Sequence, residues 1–188
     1  MRAALVIDDH EPSRTEISRF LKENRIQVIG EAATAAKGLE LAATGAPDVI
    51  LMAVGLPDSD GIRAARKIME ARPIPVVLVT SHHDAETVER ARRAGVMGYL
   101  IKPLRGAELL PAIEVAIGRF QEFVALQKEN EDLKKTLDAR KIIDRAKAIV
   151  MKRQGLTEPE AFSLIQRRSM NSRKPMVEIA RAIILTED

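Results

Sequence analysis

A chain of 188 residues, 46% hydrophobic and 30% charged, has room for one large or two small domains with real cores, built almost without aromatics, which make up 3%. The absence of cysteine excludes disulfides, thiol catalysis and thiolate metal sites and suits a reducing cytoplasm. With no apolar run near the roughly 18 residues of a membrane span, and Asp8 and Asp9 closing the first apolar stretch, neither a membrane segment nor a signal peptide is expected. The net charge of +3 is uneven: residues 138–188 hold 11 Lys and Arg against 7 Asp and Glu, giving +4, while residues 1–137 hold 19 against 20, giving −1, so the basic excess sits in the tail, where it suits phosphates.

Residues 3–8, Ala-Ala-Leu-Val-Ile-Asp, form a short apolar run of the kind seen in a strand buried on both faces. Pro12 then suits a first helical turn, and Ile17, Phe20 and Leu21 follow at helical spacing. The alternation repeats, with strands expected at 26–31, 48–52, 75–79 and 97–101 and helices at 34–44, 61–71 and 85–94. Five βα units in that length imply a doubly wound parallel sheet with helices on both faces. In such a sheet chemistry collects at the carboxyl ends of the strands. Those ends carry Asp8 and Asp9, Ala53, Thr80 and Ser81, and Lys102 with Pro103. Asp60 and Asp84 suit helix N-caps, Asp58 reads as a loop carboxylate, and His10, His82 and His83 lack partners at metal-ligand spacing.

Asp8-Asp9, the Gly55-Leu56-Pro57 turn leading to Asp60-Gly61, Thr80-Ser81, Tyr99 and Lys102-Pro103 together resemble the receiver domain of two-component response regulators, with its five-stranded, flavodoxin-like fold. The resemblance implies phosphoryl transfer to an aspartate, with Asp8 and Asp9 holding Mg²⁺, Thr80 and Lys102 contacting phosphoryl oxygens, and Tyr99 turning inward as the switch. The acceptor Asp belongs where this chain has Ala53. A methyl group can neither be phosphorylated nor ligate a metal, so Mg²⁺ binding is expected to be weakened or absent. The receiver is either degenerate or one whose acceptor Asp has been replaced.

From Gly106 to Arg153 the sequence supports a single long helix; after Pro111 it meets no further proline, and at about 1.5 Å per residue that part alone spans about 60 Å. Its first part, through Leu109, Ile113, Ala116, Ile117 and Phe120, shows the broad apolar face of a helix lying on a sheet. From Phe123 the spacing narrows to threes and fours through Leu126, Asn130, Leu133 and Leu137, a heptad seam. An Asn at an a-type position favours a parallel homodimer in register, because a partner Asn satisfies its amide.

Three helices are expected in residues 138–188. The first ends at Gly155, the second opens with the capping box Thr157-Glu158-Pro159-Glu160, and the third begins near Pro175. Phe162, at the spacing of Ala161, Leu164 and Ile165, is expected in their core. Arg145-Ala146-Lys147-Ala148-Ile149, Gly155, the capping-box stretch and Gln166-Arg167-Arg168-Ser169-Met170 with Asn171-Ser172-Arg173 resemble the ANTAR domain, an RNA-binding module of antitermination regulators such as those of ethanolamine utilisation. That resemblance implies binding, as a dimer, to tandem stem-loops in a nascent leader transcript. Lys141, Arg145, Lys147, Lys152, Arg153, Arg167, Arg168, Arg173 and Lys174 offer phosphate contacts, and Gln166, Ser169 and Asn171 offer groups for loop bases.

The expected organisation is a receiver over 1–120, a helical coiled-coil linker over 121–137 and an ANTAR domain over 138–188. The expected function is a cytoplasmic response regulator that antiterminates transcription, is not an enzyme, and has leader RNA and a sensor histidine kinase or regulatory protein as partners. Two other classes compete: a DNA-binding regulator using the basic helices in a major groove, and a regulator gated only by protein partners.

Overall fold

The computed structural model describes residues 2–81 and 84–186. Its first unit, residues 1–124, is built on five short strands rich in Val, Ile, Leu and Ala: β1 (Ala3–Ile7), β2 (Gln27–Ala32), β3 (Val49–Ala53), β4 (Val76–Thr80) and β5 (Gly98–Ile101). All neighbours pair in parallel, in the order β2-β1-β3-β4-β5. Every residue of β3 and β4 is buried, which is why these segments read as continuous apolar runs rather than alternating ones.

Helices cover both faces. On one face, Ile17 and Leu21 of α1 (Glu11–Glu23) pack with Leu109, Ile113, Ala116 and Ile117, at the start of α5 (Gly106–Gln154), against Val6, Leu51, Val77 and Val79. On the other, α2 (Ala35–Gly45), α3 (Gly61–Ala71) and α4 (Ala85–Arg93) bring Ala35, Ala42, Ile62, Ala65, Ile68 and Ala91 onto Leu5, Ile7, Ile50 and Leu78. The helix starts follow local chemistry. Thr34, Asp60 and Asp84 accept from the backbone N–H groups of Lys37, Ile62 and Thr87, satisfying donors that a first turn leaves unpaired.

The strand windows expected from the sequence are right in order and type. Several shift by a residue because a strand's end is set by backbone pairing with its neighbour, as for Ala32 with Ile7, Ala53 with Val79 and Thr80 with Ile101.

The second unit, residues 125–188, contains the later part of α5, then α6 (Glu158–Ser172) and α7 (Met176–Leu185). Gly155 adopts φ +66, the left-handed conformation that ends α5 without a Cβ penalty. The α6 start is a complete capping box: the Thr157 side chain takes the N3 backbone, and Glu160 accepts from Thr157 N at 2.8 Å. The core is small and contains three alanines, Ala146, Ala161 and Ala180, together with Ile149, Val150, Ile165 and Ile183. Phe162 is not in it. At 42% exposed, it corrects the expectation of a core ring: with alanines at the buried positions of all three helices the interior is shallow, and the ring has no room there. Among the described residues no helix is long and apolar enough to cross a membrane.

Candidate functional site

Strand order places the topological switch between β1 and β3, since the chain passes from β1 to β2 on one side and returns to β3 on the other. Asp8 follows β1 there and Ala53 ends β3. Asp8 is 1% exposed, and such a carboxylate needs partners for both oxygens. Its Oδ1 accepts from His10 N at 3.0 Å; its Oδ2 accepts from Ser13 Oγ at 2.9 Å and from Lys102 Nζ at 2.6 Å. The Asp8 carbonyl accepts from the Arg14 guanidinium at 2.6 Å. A single buried carboxylate therefore gathers α1, the end of β1 and the end of β5.

Asp9 is exposed and Thr80 is buried. Lys102 N donates to Thr80 O at 2.8 Å, tying the β4 and β5 ends together. Tyr99 is half-buried. Burial pushes its phenol up, the charge of Asp84 adds to that, and a side-chain hydrogen bond with Thr80 opposes both. Thr80 and Tyr99, expected as a switch pair, are thus in contact.

Ala53 is buried, and its carbonyl bounds the space on the loop side: a Cβ at Gly61 would lie 2.0 Å from Ala53 O. Gly61 N donates to Val54 O at 2.7 Å, so the loop from β3 to α3 folds back onto the strand end. In that loop Asp58 accepts from Ala35 N at 2.8 Å and Ala36 N at 2.9 Å. Those two backbone donors hold its carboxyl below the ordinary value of 3.8. It is a cap for α2 supplied from another loop, which agrees with a loop carboxylate. His10 is likewise structural: its Nδ1 accepts from Ser13 N at 3.3 Å at the start of α1. His82 and His83 lie outside the described residues.

Receiver domains in general bind Mg²⁺ beside the acceptor. Mg²⁺ requires a near-octahedral set of oxygens. Here the acceptor position offers no side-chain oxygen, both Asp8 oxygens are engaged, and Lys102 places a positive charge on the same carboxylate. Among the described residues no group of three His, Asp or Glu side chains is placed to hold a metal. The donor set does not fit a resident Mg²⁺.

The second unit carries the basic residues. Lys147 is taken out of the expected phosphate contacts: its ammonium bonds Asp144 and Glu158, each at 2.7 Å, and these carboxylates hold it above its ordinary value. Its side chain is only 14% exposed, so it ties the start of α6 to α5. The Ser169 hydroxyl is also engaged, donating to Lys174 O, and Arg153 donates to Thr186 O at 2.7 Å. Arg145 and Lys152 lie exposed on α5, and Lys141 stands 4.0 Å from Asp138. Gln166, Arg167, Arg168, Asn171, Arg173 and Lys174 are all exposed over the end of α6 and the turn after it. Arg173 takes φ +55, a left-handed C-cap where glycine is usual. Along α5, Phe123, Leu126, Asn130, Leu133 and Leu137 are all exposed, Leu126 to 65%.

Sequence reasoning missed Ser13 and Arg14 as partners of Asp8 and Asp58 as a cap for α2. Ser13 and Arg14 were within reach, because the first turn of a helix after β1 always adjoins the strand end. The Asp58 contact spans 23 residues and has no local signal.

Residues 4–114 match the family described as response regulator receiver domain, and residues 131–184 match the ANTAR domain. The chain is 39% identical over 185 residues to the transcriptional regulatory protein PdtaR of Mycobacterium tuberculosis (strain ATCC 25618 / H37Rv), covering 98% of this chain and 90% of that one. Among solved structures, the signal receiver domain of a modulated diguanylate cyclase from Desulfovibrio desulfuricans G20 is similar, at TM-score 0.61 and 26% identity, over 64% of this chain and 97% of that one. A response regulator receiver domain protein from Clostridium thermocellum is similar at TM-score 0.60 and 27% identity, over 65% and 99%.

Proposed function

The chain belongs to the response regulators that join a receiver domain to an ANTAR domain, and on that premise we propose that it is an RNA-binding transcription antiterminator. Its ANTAR tail binds stem-loops in nascent leader RNA, in the cytoplasm, and keeps a terminator hairpin from forming. The observation that carries this reading is the exposed basic stretch at the end of α6. Arg167, Arg168, Arg173 and Lys174 are in no ion pair among the described residues, while Lys147, deeper in the unit, is fully engaged. Cations left facing water are what a polyanion requires.

The active form is a homodimer along α5, where Phe123, Leu126, Leu133 and Leu137 offer an apolar stripe with Asn130 in the middle, each covered when two copies pair in register. The receiver is null for phosphorylation, since Ala53 has no oxygen to accept a phosphoryl group, and its affinity for Mg²⁺ is weakened. Control therefore passes through docking of a sensor kinase or a regulatory protein. No catalytic turnover is assigned to the chain.

Titrating the full chain with hairpin RNA and with duplex DNA of equal charge over a range of salt tests the reading. Hairpin binding is expected to be tighter. Changing both Arg167 and Arg168 to Ala is expected to reduce the slope of log K against log salt by about one for each phosphate that is no longer neutralised. Equal affinity for duplex and hairpin would indicate a DNA-binding regulator, and binding to neither a regulator that works through proteins alone.

A further inference from the structure

The ring of Phe162, 42% exposed, lies outside the buried core of the second unit. α6 turns Ala161 and Ile165 fully inward, with Leu164 partly buried beside them. Phe162 stands one position round from that buried stripe, and Gln166 and Met170 follow it at i+4 and i+8 on one helix face. Both are exposed, Met170 to 65%, and Arg173 continues the face at the helix end. Along the helix, this face presents an aromatic surface, an amide with both donors and an acceptor, a polarizable thioether and a guanidinium.

The charge along the helix beyond it is predominantly positive. Residues 161–186 contain five Lys and Arg (167, 168, 173, 174, 181) against one acid, Glu178, giving +4. At the start of the helix Glu158 is paired with Lys147, and Glu160 accepts from the Thr157 backbone N–H and hydroxyl. A surface for an apolar protein helix would carry several apolar residues side by side. Here each apolar group alternates with a polar or cationic one, and the surrounding field favours a polyanion.

We propose that Phe162 is a base-stacking platform: its ring takes the face of one unpaired nucleobase in the loop of a stem-loop RNA. Gln166 hydrogen-bonds the edge of that base, and Arg173 contacts the adjoining phosphate. A ring on a helix surface cannot reach a base inside a duplex, so this contact selects loops over stems. The inference rests on the RNA-binding reading and deepens it by separating what grips the backbone from what recognises an open base.

The test uses the full chain and hairpins that it selects from a pool with a randomised loop. Phe162→Leu is expected to weaken binding to a selected hairpin about tenfold, the range of one unstacked base, while Phe162→Tyr stays within about threefold of the original. The salt slope is expected to be the same in all three chains, because the ring neutralises no phosphate. Thermal melting of Phe162→Leu is expected to match the original, because the ring is outside the core. Replacing the loop bases one at a time with abasic nucleotides should identify one position at which the original and Phe162→Leu bind equally. If the original selects hairpins and Phe162→Leu binds them equally well, or if Tyr does not rescue, or if no abasic position removes the difference, the platform is overturned and the RNA reading stands. If the original selects no hairpin, both fall.

Discussion

The two units treat their charged groups in opposite ways. At the carboxyl ends of β1, β3 and β5, the buried Asp8 is matched by Lys102, Ser13 and a backbone N–H, so the pocket is closed upon itself. At the end of α6, cations stand in water with no ion-pair partner among the described residues. Burial explains the contrast. A carboxylate out of water must be paired, whereas an exposed guanidinium can wait for a ligand at little cost. The difference leaves the cations at the end of α6 available to a ligand, whereas Lys102 at the strand ends is held by Asp8.

The largest expected effect would reopen the first unit. Ala53→Asp adds the missing carboxylate beside Asp8 and Asp9, and incubation with acetyl phosphate and Mg²⁺ is expected to raise the mass by one phosphoryl group, with no adduct on the original chain. Mass spectrometry decides it; a variant that remains unmodified would show that the pocket is lost at more than one position.

Next is Lys102→Met. It leaves Asp8 1% exposed with its cation gone, which should cost about 3 kcal/mol by denaturant unfolding. An unchanged midpoint would mean that Ser13 and the His10 backbone suffice, and the contrast between the units would weaken.

Arg173→Gly sharpens the other side of the comparison. The left-handed φ +55 disfavours any residue with a Cβ, so the variant should be about 1 kcal/mol more stable while binding hairpin RNA more weakly. Stability and affinity moving in opposite directions would show that the arginine is kept for a ligand. If both rise, Arg173 has no part in binding.

The smallest effect is in Asp58. Its carboxyl is held below 3.8 by the α2 backbone, so its contribution is fully present above that value and is lost as pH falls through the lowered one. Melting curves of Asp58→Asn and the original should therefore differ at pH 6 and converge in strong acid. A gap that stays constant with pH would exclude the charge as its cause.

The sheet was legible because five apolar runs alternate with helical spacing, and the pocket because receiver residues cluster at strand ends whatever the loops do. What stayed hidden were contacts made across the chain. Asp58 caps a helix that starts 23 residues earlier, and nothing local marks it. Lys147 reads as one more cation until Asp144 and Glu158 are seen on either side of it. Phe162 fits a helical apolar pattern, but a pattern gives only a direction around the helix. How deep the core runs depends on Ala146 and Ala180, which belong to other helices.

The close approach of Gly61 to the Ala53 carbonyl also bears on how this protein tolerates mutation. With 2.0 Å between that oxygen and any added Cβ, even alanine must displace backbone. A scan of every substitution along the chain would score position 61 as strictly as a reactive side chain, although glycine has none. What such a scan would detect there is occupied space, and the nearest residue whose freedom it limits is Ala53.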